Sequence, residues 1–196
     1  MLVAIPAAFL ETGFFKLAEK ITLFPSLINF LKIFIGVAFV EEFLKYLVVK
    51  IKVLNHHEFD EPIDAMIYMI ISALGFAAAE NILLLLLGLG PKLLFAATIS
   101  TTISRFLTAT FLHTLCSAII GYFLAVSFWE TKKRNLLLIS GLTTSVFLHG
   151  IYNSYIMSNE GRCNILILFA VLATLAVFVT FAFKKLRKMQ SVCKIA

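Results

Sequence analysis

The stretch FVEEFLKYLVVK, residues 39–50, places two adjacent glutamates, Glu41 and Glu42, among residues that otherwise have the composition of a membrane interior. Lys45 follows Glu41 by four residues, so the two side chains share one face of a helix. A charged side chain at the centre of a membrane helix costs at least about 2.5 kcal/mol on insertion scales. The stretch therefore predicts either a functional site within the membrane or a buried ion pair that fixes helix packing.

The composition of the whole chain indicates a membrane protein. Of its 196 residues, 61% are hydrophobic and 14% are charged, whereas soluble domains have about 45–50% apolar and about 25% charged residues. Apolar stretches of about 20 residues recur, which is the length that crosses a bilayer core of about 30 Å. Hydrophobicity does not alternate with the period of two that is typical of transmembrane β-barrels. We therefore predict an all-α, polytopic membrane helix bundle that forms a single domain, residues 1–196, in contact with the lipid bilayer.

Five membrane spans are predicted from the apolar stretches and the breaks between them. They cover about residues 27–53, 63–87, 104–129, 136–157 and 165–183. Residues 1–24 are apolar but contain charged residues, including Glu11, and this pattern predicts either a short span or a helix that lies in the membrane interface. Residues 92–103 are predicted to form a short helix or a re-entrant segment, because the apolar stretch there is too long for one span. NHHEFDEP, residues 55–62, is predicted to be a polar loop with Pro62 near the start of the next helix.

The net charge of +6 does not indicate a nucleic-acid partner, because the basic residues cluster at the ends of apolar stretches. The two clusters are TKKRN, residues 131–135, and KKLRKMQ, residues 184–190. Positive clusters at span ends mark the cytoplasmic side of a membrane, so the C-terminus is predicted to be cytoplasmic. Cys116, Cys163 and Cys193 show neither a disulfide pattern nor a metal-binding spacing.

Four of the five predicted spans carry ionisable or amide side chains. These are Glu41, Glu42 and Lys45 in the first span, Glu80 and Asn81 in the second, Arg105 and His113 in the third, and His149 and Asn153 in the fourth. The pairs Phe76–Glu80 and His149–Asn153 each have a spacing of four, which places each pair on one helical face. We predict that the polar faces line a shared interior cavity. A single histidine or asparagine also serves as a polar contact between helices, and Arg105, near a span end, is expected to extend towards the interface.

Such a set of side chains supports two routes to amide hydrolysis within the membrane. Two histidines and a glutamate are a ligand set for Zn²⁺ that leaves one position open for water, and a neighbouring glutamate then acts as general base. Without a metal, a carboxylate held beside a second carboxylate in a low-dielectric site takes a proton from water and returns it to the leaving amine. A histidine and an asparagine then stabilise the oxyanion. Neither route uses a serine or cysteine nucleophile.

Four motifs in the chain, taken in order, resemble the PrsW family of intramembrane proteases. They are EEFLK (residues 41–45), GFAAAEN (75–81), RFLTATFLH (105–113) and HGIYN (149–153), and the resemblance covers about residues 36–155. The family is distantly similar to the CAAX-prenyl protease and bacteriocin-processing (CPBP) superfamily. The resemblance implies an intramembrane endopeptidase of the metallo- or glutamate type. It also implies a bacterial cytoplasmic (inner) membrane and a membrane-anchored protein substrate.

The resemblance further implies a role for each matched residue. Glu41 and Glu42 match the glutamate pair that activates water, and the other catalytic positions are Glu80, His113 and His149. Supporting positions are Lys45, Asn81, Arg105 and Asn153. His113, His149 and Glu80 are implied as metal ligands, with zinc as the cofactor, only if the protein is a metalloenzyme. The metal is left open because Glu80 stands where the wider superfamily has a histidine.

A non-catalytic membrane protein, such as a proton- or cation-coupled transporter or a scaffold, is the alternative. Transporters also place carboxylates and histidines near the membrane midplane, but they usually contain internal repeats and broken helices. The chain shows no internal repeat, and the spans that carry the polar residues contain no proline beyond Pro62 at one edge. The sequence therefore favours the protease.

Overall fold

The computed structural model describes residues 3–21, 24–88, 103–158 and 165–189, and these residues form helices and the connections between them. The α-helices are α1 (Ala4–Ala18), α2 (Pro25–Leu31), α3 (Val40–Lys52), α4 (Pro62–Leu83), α5 (Phe111–Trp129), α6 (Arg134–Ser158) and α7 (Ile165–Leu186). No β-strand occurs in the described ranges, and the predicted all-α class is confirmed.

Three π-helical segments adjoin the α-helices that carry the polar motifs. Lys32–Phe39 joins α2 to α3, Leu84–Gly88 extends α4, and Phe106–Thr110 precedes α5. The backbone stays right-handed and helical at both ends of the first segment, so α2 and α3 belong to one continuous helix. π-helical turns are rare in proteins and are often found at functional sites.

Within the described ranges, four helical segments are long and apolar enough to cross a membrane, and they coincide with four of the five predicted spans. They are Pro62–Leu86, Ile103–Trp129, Thr131–Ile156 and Leu166–Leu186. The continuous α2–α3 helix, which coincides with the prediction for residues 27–53, is not one of the four because it carries too many charged side chains. The predicted total of five spans is therefore not confirmed. The segment predicted near residues 92–103 lies almost wholly outside the described ranges.

α5 is the central helix of the bundle and packs against α4, α6 and α7. In its membrane-length segment 67% of the residues are buried, compared with 28% or less in the other three segments. Small side chains on α5, among them Cys116, Ala118 and Gly121, let neighbouring helices approach closely. At Gly121 the backbones nearly touch, because a Cβ atom there would lie 2.6 Å from Met66 Cα and 2.9 Å from the Ala65 carbonyl oxygen.

α4 begins at Pro62, near the position that the sequence predicts, and side chains cap its first turn. Glu61 and Asp64 form a capping box in which Asp64 Oδ2 accepts a hydrogen bond from the Glu61 N–H at 2.8 Å. The capping box satisfies backbone donors that the start of a helix leaves unpaired. The loop before α4 exposes His56 and His57, so these two histidines stand apart from the buried ones.

α1 packs against α3 and α4 through one face. Ala4 and Ala7 form a buried cluster with Phe76 and Ala79 of α4. Positions 4, 7, 11 and 18 fall on one side of a helix, so Glu11 lies on the same face as these alanines. At 15 residues and about 1.5 Å per residue, α1 is shorter than a bilayer core. Because Glu11 lies on the face that packs against α3 and α4, α1 brings this carboxylate to the region where those helices carry their polar side chains.

Replacing Gly121 by alanine should destabilise the protein, because the new methyl group would overlap backbone atoms of α4 rather than a movable side chain. Overpacking of this kind costs about 1–3 kcal/mol. The matched control is Gly13→Ala in α1, where a Cβ atom would have nothing within 4 Å. Thermal unfolding of the purified variants in detergent should show a lower midpoint for Gly121→Ala only. Equal midpoints for the two variants would contradict the close contact between α4 and α5.

Candidate active site

A cavity of about 540 Å³ lies among α1, α3, α4, α5 and α6 and brings polar side chains of all four motifs together. Of the residues that the sequence predicts for the site, Glu41, Glu80, Arg105, His113, His149 and Asn153 line this cavity. Glu42 and Lys45 are fully buried behind the lining.

Glu42 is fully buried, and its carboxylate is paired on both oxygens. Lys45 Nζ donates to Oε1 at 2.7 Å, and His149 Nδ1 lies 3.0 Å from the same oxygen. Ser117 Oγ donates to Oε2 at 3.2 Å. A carboxylate taken out of water is tolerated when it is paired and hydrogen-bonded in this way. Glu42 thus connects α3 to α5 and α6 rather than facing the cavity.

Lys45 is the cation of this buried network. Its ammonium lies 2.7 Å from Glu42 Oε1, 2.7 Å from His113 Nδ1 and 4.6 Å from the centre of the Phe76 ring. The spacing of four predicts a contact between Lys45 and Glu41, and in the structure Lys45 Nζ lies 3.7 Å from Glu41 Oε2. The closer carboxylate is Glu42, three residues before the lysine, so the strong ion pair of this helix is not the one that the sequence indicates.

Each of the two histidines has a carboxylate against one ring nitrogen. His113 Nε2 lies 3.0 Å from Glu80 Oε2, and His149 Nδ1 lies 3.0 Å from Glu42 Oε1. A carboxylate accepts hydrogen bonds only, so these nitrogens carry protons and donate. When the rings are neutral, the lone pairs are on His113 Nδ1 and His149 Nε2. Both of these nitrogens face Glu41.

Glu41 has a buried carboxylate oxygen that accepts no hydrogen bond from the described residues. This oxygen, Oε2, lies 3.7 Å from His113 Nδ1 and 3.8 Å from His149 Nε2. The side chain is only 5% exposed, yet it lines the cavity. Buried polar atoms are nearly always satisfied by a protein group, water or an ion. Oε2 of Glu41 is therefore the atom of the site at which we expect a ligand to bind.

Glu41, His113 and His149 fit a metal ion. One carboxylate oxygen and one nitrogen from each ring all lie within 4.8 Å of one another. In a tetrahedral zinc site with bonds of about 2.0–2.2 Å, ligand atoms are roughly 3.3–3.6 Å apart. The contacts of Glu41 Oε2, 3.7 and 3.8 Å, approach that spacing. In the structure Glu41 is the carboxylate whose oxygen lies with the two histidine nitrogens as a candidate ligand set, whereas the sequence predicts Glu80 in that place. A metal bound to His113 Nδ1 requires Lys45 Nζ to give up its contact with that nitrogen.

Arg105 and Glu80 also line the cavity and contact each other. Arg105 donates to Glu80 Oε1 at 2.6 Å and to Asn81 Oδ1 at 2.8 Å. Asn81 Nδ2 in turn donates to Thr110 Oγ1, in the π-helical segment before α5, at 3.3 Å. The expectation that Arg105 extends to the membrane interface is therefore wrong, because its guanidinium is held by two side chains of α4. Glu80 contacts both Arg105 and His113, and it thereby fixes the orientation of the His113 ring.

Several residues of the site were not predicted from the sequence, and two of them, Ser117 and Glu11, contribute side chains that bear on its chemistry. Ser117 binds Glu42 and lies one helical turn after His113, so the spacing of four on one face was a usable signal. Glu11 lines the cavity from α1. Its signal was the alignment with the small residues Ala4 and Ala7 on one face of that helix. Only the packing of α1 against α3 and α4 makes that face an inner one.

The helices and the cavity define a class of protein, namely an α-helical membrane protein whose interior holds a cluster of carboxylates and histidines. Ionisable groups buried among membrane helices mark a functional site. The family model for PrsW family intramembrane metalloproteases matches residues 1–182. The chain therefore belongs to the PrsW family, and the resemblance seen in its four motifs is confirmed.

Several curated relatives carry the name Protease PrsW. The protein from Geobacillus kaustophilus is 37% identical over 127 residues, which are 65% of this chain and 52% of the relative. The protein from Bacillus subtilis is 34% identical over 126 residues, 64% of this chain and 54% of the relative. The protein from Halalkalibacterium halodurans is 31% identical over 150 residues, 76% and 60% respectively. The chain thus spans little more than half the length of the curated relatives it matches. No solved structure matches the chain.

Lys45→Met should destabilise the protein by about 3–5 kcal/mol, because removing one partner of a buried ion pair leaves the charge of Glu42 uncompensated. The matched control is Lys32→Met, since Lys32 pairs at 3.4 Å with Glu19, whose side chain is 68% exposed. Exposed pairs contribute about 0–1 kcal/mol. Thermal unfolding in detergent should separate the two variants clearly. Similar losses of stability in both would contradict the role of Lys45 in the network.

Proposed function

We propose that the protein is an intramembrane endopeptidase that hydrolyses a peptide bond of a membrane-associated protein substrate. The observation that carries this proposal is an oxygen of Glu41 that accepts no hydrogen bond from the described residues and lies near two histidines, on a residue that lines a cavity among membrane-length helices. Membership of a family of intramembrane metalloproteases supports it. The names of the relatives support it as well.

Glu41 is the residue that we assign to water activation. A water molecule in the cavity donates a hydrogen bond to the Glu41 carboxylate, and the carboxylate takes its proton as the water oxygen attacks the carbonyl carbon of the substrate. The C–N bond then breaks, and Glu41 returns the proton to the leaving amine. Exclusion of bulk water strengthens these interactions, because the effective dielectric constant inside the protein is low.

Glu42 and Glu80 act as positioning residues. Each holds one ring nitrogen of a histidine, and carboxylates in this position fix the tautomer and the orientation of the ring. As a result, the second nitrogen of each ring is directed at Glu41, at 3.7 Å for His113 Nδ1, which also contacts Lys45, and at 3.8 Å for His149 Nε2. This assignment divides the adjacent glutamates between two roles, although the motif resemblance treats them as one water-activating pair.

In a metal-bound form of the site, His113, His149 and Glu41 are the residues that would hold the ion, zinc being one that suits nitrogen and oxygen ligands, and Glu41 would then be a ligand instead of the group that takes the proton from water. Bound there, Zn²⁺ would supply a Lewis acid that makes water more acidic and polarises the substrate carbonyl. Glu80, which also lines the cavity, keeps its positioning role in that form, because Arg105 and His113 hold its two oxygens. Asn153, one helical turn after His149, is the amide that we assign to stabilising the developing oxyanion.

We also propose a bacterial cytoplasmic membrane as the location, with the C-terminus in the cytoplasm. Basic residues cluster between α5 and α6 and again at the end of α7. α6 and α7 both have membrane length, so the two clusters lie on the same side, and positive clusters mark the cytoplasmic side. Lys185 Nζ, in the second cluster, donates to the Tyr122 hydroxyl of α5 at 2.9 Å, which keeps the end of α7 beside α5.

Glu41→Gln should abolish proteolysis in cells without removing the protein from the membrane, because a neutral amide cannot take the proton from water. Loss of a general base lowers rates by about 10²–10⁴-fold. The measurement is mass spectrometry of membrane-protein fragments in bacteria that express each variant at equal levels. Glu58→Gln, in the exposed loop before α4, is the control and should leave the wild-type fragments in place. Wild-type fragments that persist with Glu41→Gln would contradict the proposal.

A metal bound by the buried histidines should disappear from the purified protein when these rings are removed. We expect about one equivalent of metal for wild type by elemental analysis and a small fraction of that for His113→Ala and His149→Ala. The control is His56→Ala/His57→Ala, which deletes the two exposed loop histidines and should retain the metal. Equal metal content in all of these variants would place the metal elsewhere. Full proteolytic activity without any metal would leave Glu41 as the sole water-activating group.

A further inference from the structure

Glu11 is a carboxylate in the cavity that the proposed mechanism does not use. It lines the cavity from α1 beside Glu41 and Glu80. It makes no hydrogen bond or ion pair with any residue in the described part of the chain. Glu80, in contrast, is bound by Arg105 at 2.6 Å and by His113 at 3.0 Å. Glu11 is therefore a cavity carboxylate that has neither a hydrogen bond nor an ion pair among the described residues.

The cations near the cavity are already engaged. Arg105 is held by Glu80, and Lys45 lies behind the lining at 2.7 Å from Glu42. Glu11 is not among the residues whose donor atoms converge on the candidate metal position, so a metal there would not provide its partner. A half-buried carboxylate beside other carboxylates gains most by pairing with a cation, because the cation offsets their mutual repulsion.

The cavity itself is built to receive a ligand. Its volume of about 540 Å³ is within the range of about 300–1,000 Å³ that is usual for ligand pockets, so it can take a few residues of an extended peptide. The unpartnered Oε2 of Glu41, on a side chain that is 5% exposed, lies in the same wall. A peptide positioned for attack beside Glu41 therefore passes close to Glu11.

We propose that Glu11 is a specificity-determining residue that binds a cationic nitrogen of the substrate close to the scissile peptide bond. This inference rests on the proposed protease function and adds a substrate class to it: membrane-embedded segments with a lysine or arginine side chain near the cleavage position. A free amino terminus offers the same cationic chemistry, so the test must separate the two sources.

The test uses single-span peptides that differ at one position near the site of cleavage, where they carry lysine, glutamine or glutamate. Their binding is measured by fluorescence anisotropy to full-length protein in lipid nanodiscs, in a Glu41→Gln background that prevents turnover. The lysine peptide should bind about tenfold more tightly than the glutamine peptide, which is what one hydrogen bond to a charged group provides. Glu11→Gln should remove this preference. Glu19→Gln is the matched control, because Glu19 directly follows α1 but is exposed and paired with Lys32, and it should keep the preference.

Peptides with free and with acetylated amino termini separate the two cationic groups. A preference for lysine that persists in acetylated peptides supports the side-chain assignment, whereas a preference only for free termini overturns it. Equal binding of the lysine and glutamine peptides, or an unchanged preference in Glu11→Gln, also overturns the proposal. Failure of the proposed function gives a different result: wild type with an intact Glu41 binds the lysine peptide preferentially but cleaves none of the peptides.

Discussion

The buried carboxylate of Glu42 is the interaction on which the rest of the site depends. It is 0% exposed, so the folded protein must supply every partner that water would otherwise provide. Those partners come from three helices: Lys45 on α3, Ser117 on α5 and His149 on α6. Because α5 is the central and most buried of the membrane-length helices, satisfying this one charge brings α3 and α6 against the middle of the bundle.

The contacts of Glu42 also determine how the neighbouring Glu41 is placed. Successive residues of a helix point in different directions, so the pairing of Glu42 behind the lining turns Glu41 into the cavity with one oxygen unpartnered. The same network fixes both histidines, since Glu42 holds His149 and Glu80 holds His113. The polar contacts that stabilise the fold therefore also orient His113 Nδ1, His149 Nε2 and the Glu41 carboxylate, so that these three groups lie close together. α1 then brings Glu11 to the same cavity.

Much of the fold and many of the site residues are predictable from the sequence, because they depend on local patterns. Apolar length locates the four membrane-length helices, Pro62 marks the start of α4, and spacings of four place the polar residues on single faces. Several pairings within the site are not determined by spacing. Glu42 and Glu41, three and four residues before Lys45, both share a helical face with it, so spacing alone does not show that Glu42 is the closer partner. Glu80 is bound by Arg105 and His113, and this follows from the approach of α4 to α5. π-helical segments and the inward face of α1 likewise depend on contacts between helices, so Glu11 appears in the sequence only as an interruption of an apolar segment.

The most direct test of this account compares the stability of the two adjacent isosteric variants, Glu41→Gln and Glu42→Gln, by thermal unfolding in the same detergent. Glu42→Gln should be markedly less stable than wild type, because breaking a buried pair costs about 3–5 kcal/mol. Glu41→Gln should unfold close to the wild-type temperature, since Oε2 of Glu41 accepts no hydrogen bond from the described residues. Equal losses of stability in the two variants, or a larger loss in Glu41→Gln, would contradict the division of roles between these neighbouring carboxylates.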